Sequence, residues 1–320
     1  MSTIEAVMPV SQLHGRTMGT SWAVRAVLPV DMALEPVQAG VQACLDRIDG
    51  SMSTYKPESE LSRFNRAQAG TWHVLSPACF EVITHAFALA RETGGIYDPT
   101  VGPAVNLWGF GPDATRQEPV AEHAVLAARE RIGWQRIELD QATLAMRQPG
   151  GAYVDLSSIA KGYAVDVVGD WLRAHGVTSW LVEVGGEMKA HGCKPDGSAW
   201  RVGIEMPDAQ GRYFCSLALN AMAIATSGDY RRRFASAGEV YSHHIDPRTG
   251  RPVSQAVASV SVLASRALHA DPLGTAMTLL GPERGLAFAQ ARDIAVLFVL
   301  RTPDGLEPRL TTAFAAALQA

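Results

Sequence analysis

One run, Tyr153-Val-Asp155-Leu-Ser-Ser158-Ile-Ala160-Lys161-Gly-Tyr-Ala-Val-Asp166, constrains this chain more than any other. Ala152 to Leu156 alternates apolar and polar side chains like the end of a strand. Beyond it, Ile159, Tyr163, Val167 and Trp171 recur at four-residue steps, which gives a helix one apolar face to pack on a core. Ser157 or Ser158 falls where an N-cap belongs. The turn therefore offers an acid (Asp155), two hydroxyls, a small residue (Ala160) and a cation (Lys161) at a helix N-terminus. Free N–H groups and the helix dipole favour an anion there, and an outward-turned carbonyl would serve a hard cation. An ordinary capped strand-to-helix turn accounts for the same residues.

Around this run the pattern predicts helices over Glu35–Asp49, from Ser76 to Gly94-Gly95, over Val120–Arg131, from Ser158 to His175, and over Pro282–Arg292. Strands are expected from Arg16 through Leu28, over Trp180–Glu187, Trp200–Glu205, Phe214–Leu219, Ala221–Ser227 and Val257–Ala264, and over Ile294–Arg301. They come in hairpin-like runs separated by clusters of helices, which points to an α+β fold with mostly antiparallel sheets. Residues 1–15 are expected to be loosely ordered and 16–320 to form one domain.

Two further stretches are dense in polar groups. Val240-Tyr-Ser-His243-His244-Ile245-Asp246-Pro-Arg-Thr-Gly250 ends in a turn, because Pro sets φ and Gly supplies φ > 0. Ala270-Asp271-Pro272-Leu-Gly-Thr275 places a carboxylate and a hydroxyl four residues apart on one helix face. Asp271 followed by Pro272 reads as an N-cap with Pro at the first helical position. The same pair, aimed at one point, would suit a hard cation such as Mg2+.

Several classes are excluded. A net charge of −4 gives no support for nucleic-acid binding. No apolar run approaches a membrane span. The start of the chain lacks a basic, then apolar, leader, so a cytoplasmic location is expected. The four cysteines are scattered and read as reduced thiols. No G-x-G-x-x-G or G-x-x-x-x-G-K-[ST] loop and no G-x-S-x-G elbow is present. The residues alone support an α+β enzyme or binder with a candidate Mg2+ site and a candidate anion site.

Eight motifs then occur in order: Met18-Gly-Thr, Ser53 to Asn65, Tyr97-Asp98-Pro-Thr-Val-Gly-Pro103, Asp155 to Gly162, Gly185-Gly186, Thr226-Ser-Gly-Asp-Tyr230, His244 to Gly250, and Ala270 to Ala276. In this the chain resembles the ApbE family of FAD:protein FMN transferases from about Met18 to the C-terminus. The resemblance implies an ApbE-like (T-fold-like) fold and an enzyme that transfers the FMN moiety of FAD to a threonine hydroxyl of a flavoprotein acceptor, releasing AMP. It implies Mg2+ on Asp271, Thr275 and the Ala160 carbonyl. It implies FAD contacts at Met18, Tyr55, Ile96, Tyr97, Asp98, Asp155, Lys161 and Ile245, with His243 as the base. His244 stands where the family usually has an aliphatic residue, and a flipped turn would present His244 instead. An FAD pyrophosphatase giving FMN and AMP, or a non-catalytic FAD-binding protein, would use much of the same site.

Overall fold

The computed structural model describes residues 9–112, 118, 120–207, 211–228, 233–236, 239–253 and 256–319. Asp229 and Tyr230 of the Thr226–Tyr230 motif lie outside them. The chain begins with β1 (Val10–Thr17), β2 (Thr20–Val27), α1 (Leu34–Met52), α2 (Glu60–Asn65), β3 (Trp72–Val74) and α3 (Pro77–Glu92). Next come α4 (Gly102–Leu107), α5 (Glu122–Arg129), β4 (Glu138–Asp140), β5 (Ala145–Arg147), α6 (Ala160–Ala174), β6 (Trp180–Val184) and β7 (Glu187–His191). Then follow β8 (Trp200–Glu205), β9 (Tyr213–Leu219), β10 (Met222–Gly228), β11 (Arg233–Ser236), β12 (Glu239–Ser242), β13 (Ile245–Asp246) and β14 (Arg251–Pro252). The rest is β15 (Val257–Ala264), α7 (Ala267–Leu280), α8 (Pro282–Gln290), β16 (Ala295–Thr302), β17 (Gly305–Leu310) and α9 (Thr312–Gln319).

The main sheet has the order β1-β2-β6-β7-β10-β15-β16-β17. Every pairing in it is antiparallel. Both faces are covered, which explains why β15 and β16 read as nearly unbroken apolar runs. Val296 and Phe298 of β16 join the core under α1, α3, α6 and α7, while Leu297 and Val299 join the core under the β8–β9 hairpin and α9. The period of two thus sends alternate residues into two separate cores.

Local signals place several elements where the residues predict. Ser59 accepts a hydrogen bond from the Ser62 N–H and starts α2, and Ser76 does the same for Cys79 ahead of Pro77 in α3. The stripe Val37, Val41, Leu45, Ile48 and Met52 of α1 is buried throughout. Other expectations need correction. Strand β1 starts at Val10, so residues 10–15 are not loose; they pair with β2, with Leu13 1% exposed. Ala152–Leu156 alternates in burial but joins no ladder. The Asn65 side chain instead holds both the N–H and the C=O of Val154, a side chain standing in for a neighbouring strand.

Neither Ser157 nor Ser158 caps α6. The N-cap is Ile159, without a side-chain hydrogen bond. Nor is Asp271 an N-cap. Helix α7 starts four residues earlier, at Ala267, and carries Pro272 inside it. The two helices cap each other. The Gly162 N–H in the first turn of α6 donates to Asp271 Oδ2 at 2.9 Å. The Ala267 and Leu268 N–H groups at the start of α7 donate to the two oxygens of Asp166, at 3.2 and 3.0 Å. Each helix N-terminus, positive by its dipole, meets a carboxylate of the other. Gly162 permits the approach, since a Cβ there would lie 2.2 Å from the Ala267 carbonyl oxygen.

Candidate active site

A cleft of about 760 Å3 opens where the N-terminal end of α6 meets the middle of α7, next to the β1–β2 and β6–β7 turns and the end of β10. Its walls come from chain segments far apart in sequence. The β1–β2 turn supplies Met18, the loop after α1 supplies Tyr55, the segment before α4 supplies Tyr97 and Asp98, and the turn into α6 supplies Asp155, Ala160 and Lys161. The β6–β7 turn adds Gly185, Gly186 and Glu187, the segment into β13 adds His243, His244 and Ile245, and α7 adds Asp271 and Thr275.

Met18 and Gly19 form the two-residue β1–β2 turn with φ of 46° and 70°. This turn type fits the twist of a tight hairpin but is unusual for Met, and it holds the Met18 side chain at the cleft. Tyr55 stands at the rim, 58% exposed, on a loop tied down at three points. Ser59 and Ser62 both donate to the Ser53 carbonyl, at 2.6 and 3.0 Å, and Lys56 pairs with Asp49 at 2.6 Å. An aromatic ring exposed on a fixed loop beside a cleft is suited to stacking on a flat ligand.

Tyr97 is buried with its hydroxyl 3.2 Å from Ser158 Oγ, and burial raises its pKa. Both oxygens of Asp98 are committed within the protein: Oδ1 accepts from the N–H and hydroxyl of Thr100 in its own loop, and Oδ2 from the N–H of Trp134, 36 residues on. Burial raises the Asp98 pKa against these hydrogen bonds. Asp155 Oδ1 accepts from the Ser157 N–H at 2.8 Å and shapes the turn into α6. Ile245 is buried at the cleft wall. Ile96 departs from expectation. It is 4% exposed, packed into the interior, and is not among the residues that line the cleft, whereas Tyr97, Asp98 and Pro99 after it are.

The charged centre is a lysine between two acids. Lys161 Nζ lies 2.6 Å from Glu187 Oε1 and 3.7 Å from Asp271 Oδ1. Burial pushes the Glu187 carboxyl up, to about 7, against the pull of Lys161. Its second oxygen, Oε2, is buried without a hydrogen-bond partner among the described residues. A buried oxygen left unpaired is costly, and beside Asp271 and Thr275 it leaves an oxygen-rich corner that fits a hard divalent cation. Among the described residues no three His, Cys, Asp or Glu side chains cage an ion. The oxygens available there are few, which suits an ion whose shell a phosphate ligand completes. Reasoning from sequence passed over Glu187 and Asp166. An acid directly after a glycine pair at a strand start was the one signal for Glu187; Asp166 carried none.

His243 and His244 both reach the cleft, with ring centroids 4.1 Å apart. His244 is 5% exposed, and burial, followed by the neighbouring His243, holds its pKa well below the ordinary value.

The ApbE family model matches residues 18–298. The chain belongs to the ApbE family. It is 39% identical over 310 residues to an FAD:protein FMN transferase of Vibrio cholerae, covering 96% of this chain and 92% of that one. A Haemophilus influenzae FAD:protein FMN transferase is 37% identical, with 95% and 90% covered. Among solved structures, the Pseudomonas stutzeri flavinyl transferase ApbE in its apo form superposes with a TM-score of 0.90 at 38% identity, over 98% of both chains. The ApbE protein of Thermotoga maritima superposes at 0.88 with 25% identity, over 98% of this chain and 100% of that one.

Proposed function

We propose that this ApbE-family enzyme transfers the FMN moiety of FAD to a threonine hydroxyl of a flavoprotein acceptor, with AMP as the leaving group. That it is an FAD:protein FMN transferase rests on family membership over nearly the whole chain. The finer reading is supported by one observation: Asp271, Thr275, Lys161 and His243, from three separate segments, line a single cleft large enough for a dinucleotide.

Asp271, Thr275 and the Ala160 carbonyl would hold Mg2+. When bound, the ion neutralises the pyrophosphate and the phosphate that leaves. Lys161, clamped by Glu187, keeps a second positive charge beside the same oxygens. His243 takes the proton of the attacking hydroxyl on a ring nitrogen as the oxygen–phosphorus bond forms. The bond from that phosphorus to the AMP oxygen breaks, and AMP departs with the electron pair. Tyr55, Tyr97 and Met18 hold the flavin end and exclude water from the reacting phosphorus.

Intact mass spectrometry of a threonine-bearing acceptor domain, incubated with this protein, FAD and Mg2+, tests the reading. The expected result is a gain of one FMN that disappears with EDTA. Free FMN and AMP without labelled acceptor would replace the transferase with a pyrophosphatase, and FAD bound without turnover would make the chain a binder.

A further inference from the structure

His244 is a titratable cleft residue that the reaction above leaves without work. Its backbone is pinned. The His244 carbonyl accepts the Val253 N–H at 2.9 Å, and the next two residues form β13 against β14. The turn between these strands is closed by Gly250 N–H to Asp246 C=O at 2.8 Å, and Asp246 also binds the Arg248 guanidinium. The ring of His244 therefore stands on a rigid base. It faces the ring of His243, with centroids at 4.1 Å and planes inclined by 37°. Phe110 meets His243 edge-on, at 6.3 Å and 66°. His243 thus has a flat ring on one side and an aromatic edge on another.

We propose that His244 is a positioning residue, a buried flat platform that fixes the ring plane of His243 so that its nitrogen meets the attacking hydroxyl. This rests on the reading of His243 as the base. A general base must hold its nitrogen within hydrogen-bond reach of the proton it takes, and a ring confined in advance does not need to be ordered at the moment of reaction. The second histidine itself is poorly suited to carry the proton. It is buried, its Nδ1 has no hydrogen-bond partner among the described residues, and a charge on it would lie against His243. A side chain kept neutral in this way serves by its shape. An aliphatic side chain would fill the space without presenting a flat face.

Two substitutions separate shape from proton transfer. His244→Phe keeps a flat ring and removes both nitrogens; His244→Leu keeps apolar bulk and removes the plane. Each is assayed with FAD, Mg2+ and a threonine-bearing acceptor domain, reading labelled acceptor, AMP release and the dissociation constant for FAD. The expected result is that His244→Phe stays within about twofold of the wild-type kcat, and His244→Leu falls about tenfold with FAD affinity unchanged. Equal rates for both variants would overturn the proposal, because the plane would then be irrelevant. A loss in His244→Phe as deep as that in His243→Ala would also overturn it, because His244 would then carry the proton. AMP release ranks the variants whether threonine or water accepts the FMN. A failure of the acceptor reading is therefore seen separately, as AMP without labelled acceptor.

Discussion

Removing the Asp166 carboxylate should cost more stability than any other single change in the α6–α7 pair. Asp166 is 3% exposed. Its carboxylate accepts the Ala267 and Leu268 N–H groups, at 3.2 and 3.0 Å, and pairs with Lys189 Nζ at 2.7 Å. Arg266 Nε lies 3.6 Å away but is 36% exposed in its side chain, so its share is small. Loss of the cap costs about 1 kcal/mol. Lys189, only 16% exposed, would be left without its carboxylate, which adds about 3 kcal/mol. Asp166→Ala should therefore lose about 4 kcal/mol, a large share of the ~5–15 kcal/mol that holds a domain folded. Asp166→Asn keeps one acceptor oxygen and should lose roughly half as much. Urea unfolding followed by tryptophan fluorescence measures both, with the midpoint shifting at constant slope. A loss under about 1 kcal/mol for Asp166→Ala would refute the idea that reciprocal capping fixes the two helices.

Gly162→Ala should be destabilising by about 1–3 kcal/mol although Ala is the better helix former, because the new methyl would strike the Ala267 carbonyl; a higher unfolding midpoint would contradict this. Asp271→Ala should remove the Mg2+ dependence of turnover along with most of the turnover, and also uncap Gly162; full Mg2+-dependent activity in this variant would remove Asp271 from the metal site. Tyr55→Ala should raise the FAD dissociation constant about tenfold at unchanged unfolding midpoint, since the ring is exposed and the loop is held by Ser53, Ser59, Ser62 and Lys56 instead; an unchanged constant would leave the ring without a stacking role. His244 is held below its usual 6.5 mainly by burial, so the unfolded chain takes up a proton there first; its contribution to stability is complete above that value and lost as pH falls through it. In His244→Phe the fall in unfolding midpoint on acidification from there should be shallower, and an identical slope would show that the ring is not buried neutral.

How much of this could be read from the chain depended on how far a residue's partner lay along it. The Ser59 and Ser76 caps, the α1 stripe and the Asp246–Gly250 turn are satisfied within a few residues, and each formed as its local pattern predicts. Strand β17 and the short α4 were not foreseen. The first is half exposed and polar in part, and the second is one and a half turns among prolines and glycines, so neither carries a full period of apolar residues. The extended run at Val154 was legible as alternation, but its partner is a side chain 89 residues away rather than a strand.

The two caps expected at the site, of α6 and of α7, failed for the same reason. Locally, Asp271-Pro272 is a good start for a helix, and Ser157-Ser158 another. The chain uses neither. Pro272 sits inside α7, where it cannot donate to the carbonyl of Leu268 and where an interior proline costs about 3 kcal/mol. Asp271, freed from capping its own helix, caps α6 across 109 residues and faces Lys161. A rule of local sequence is broken there because one carboxylate serves a neighbouring helix and the cleft at once. Such a conflict is expected where a site is built, since a group aimed at a ligand cannot also satisfy its own backbone. The cost is met by packing: α7 is buried through Ala267, Leu268, Ala270, Ala276 and Met277, and this apolar seat holds a helix that its own first turn would not have started.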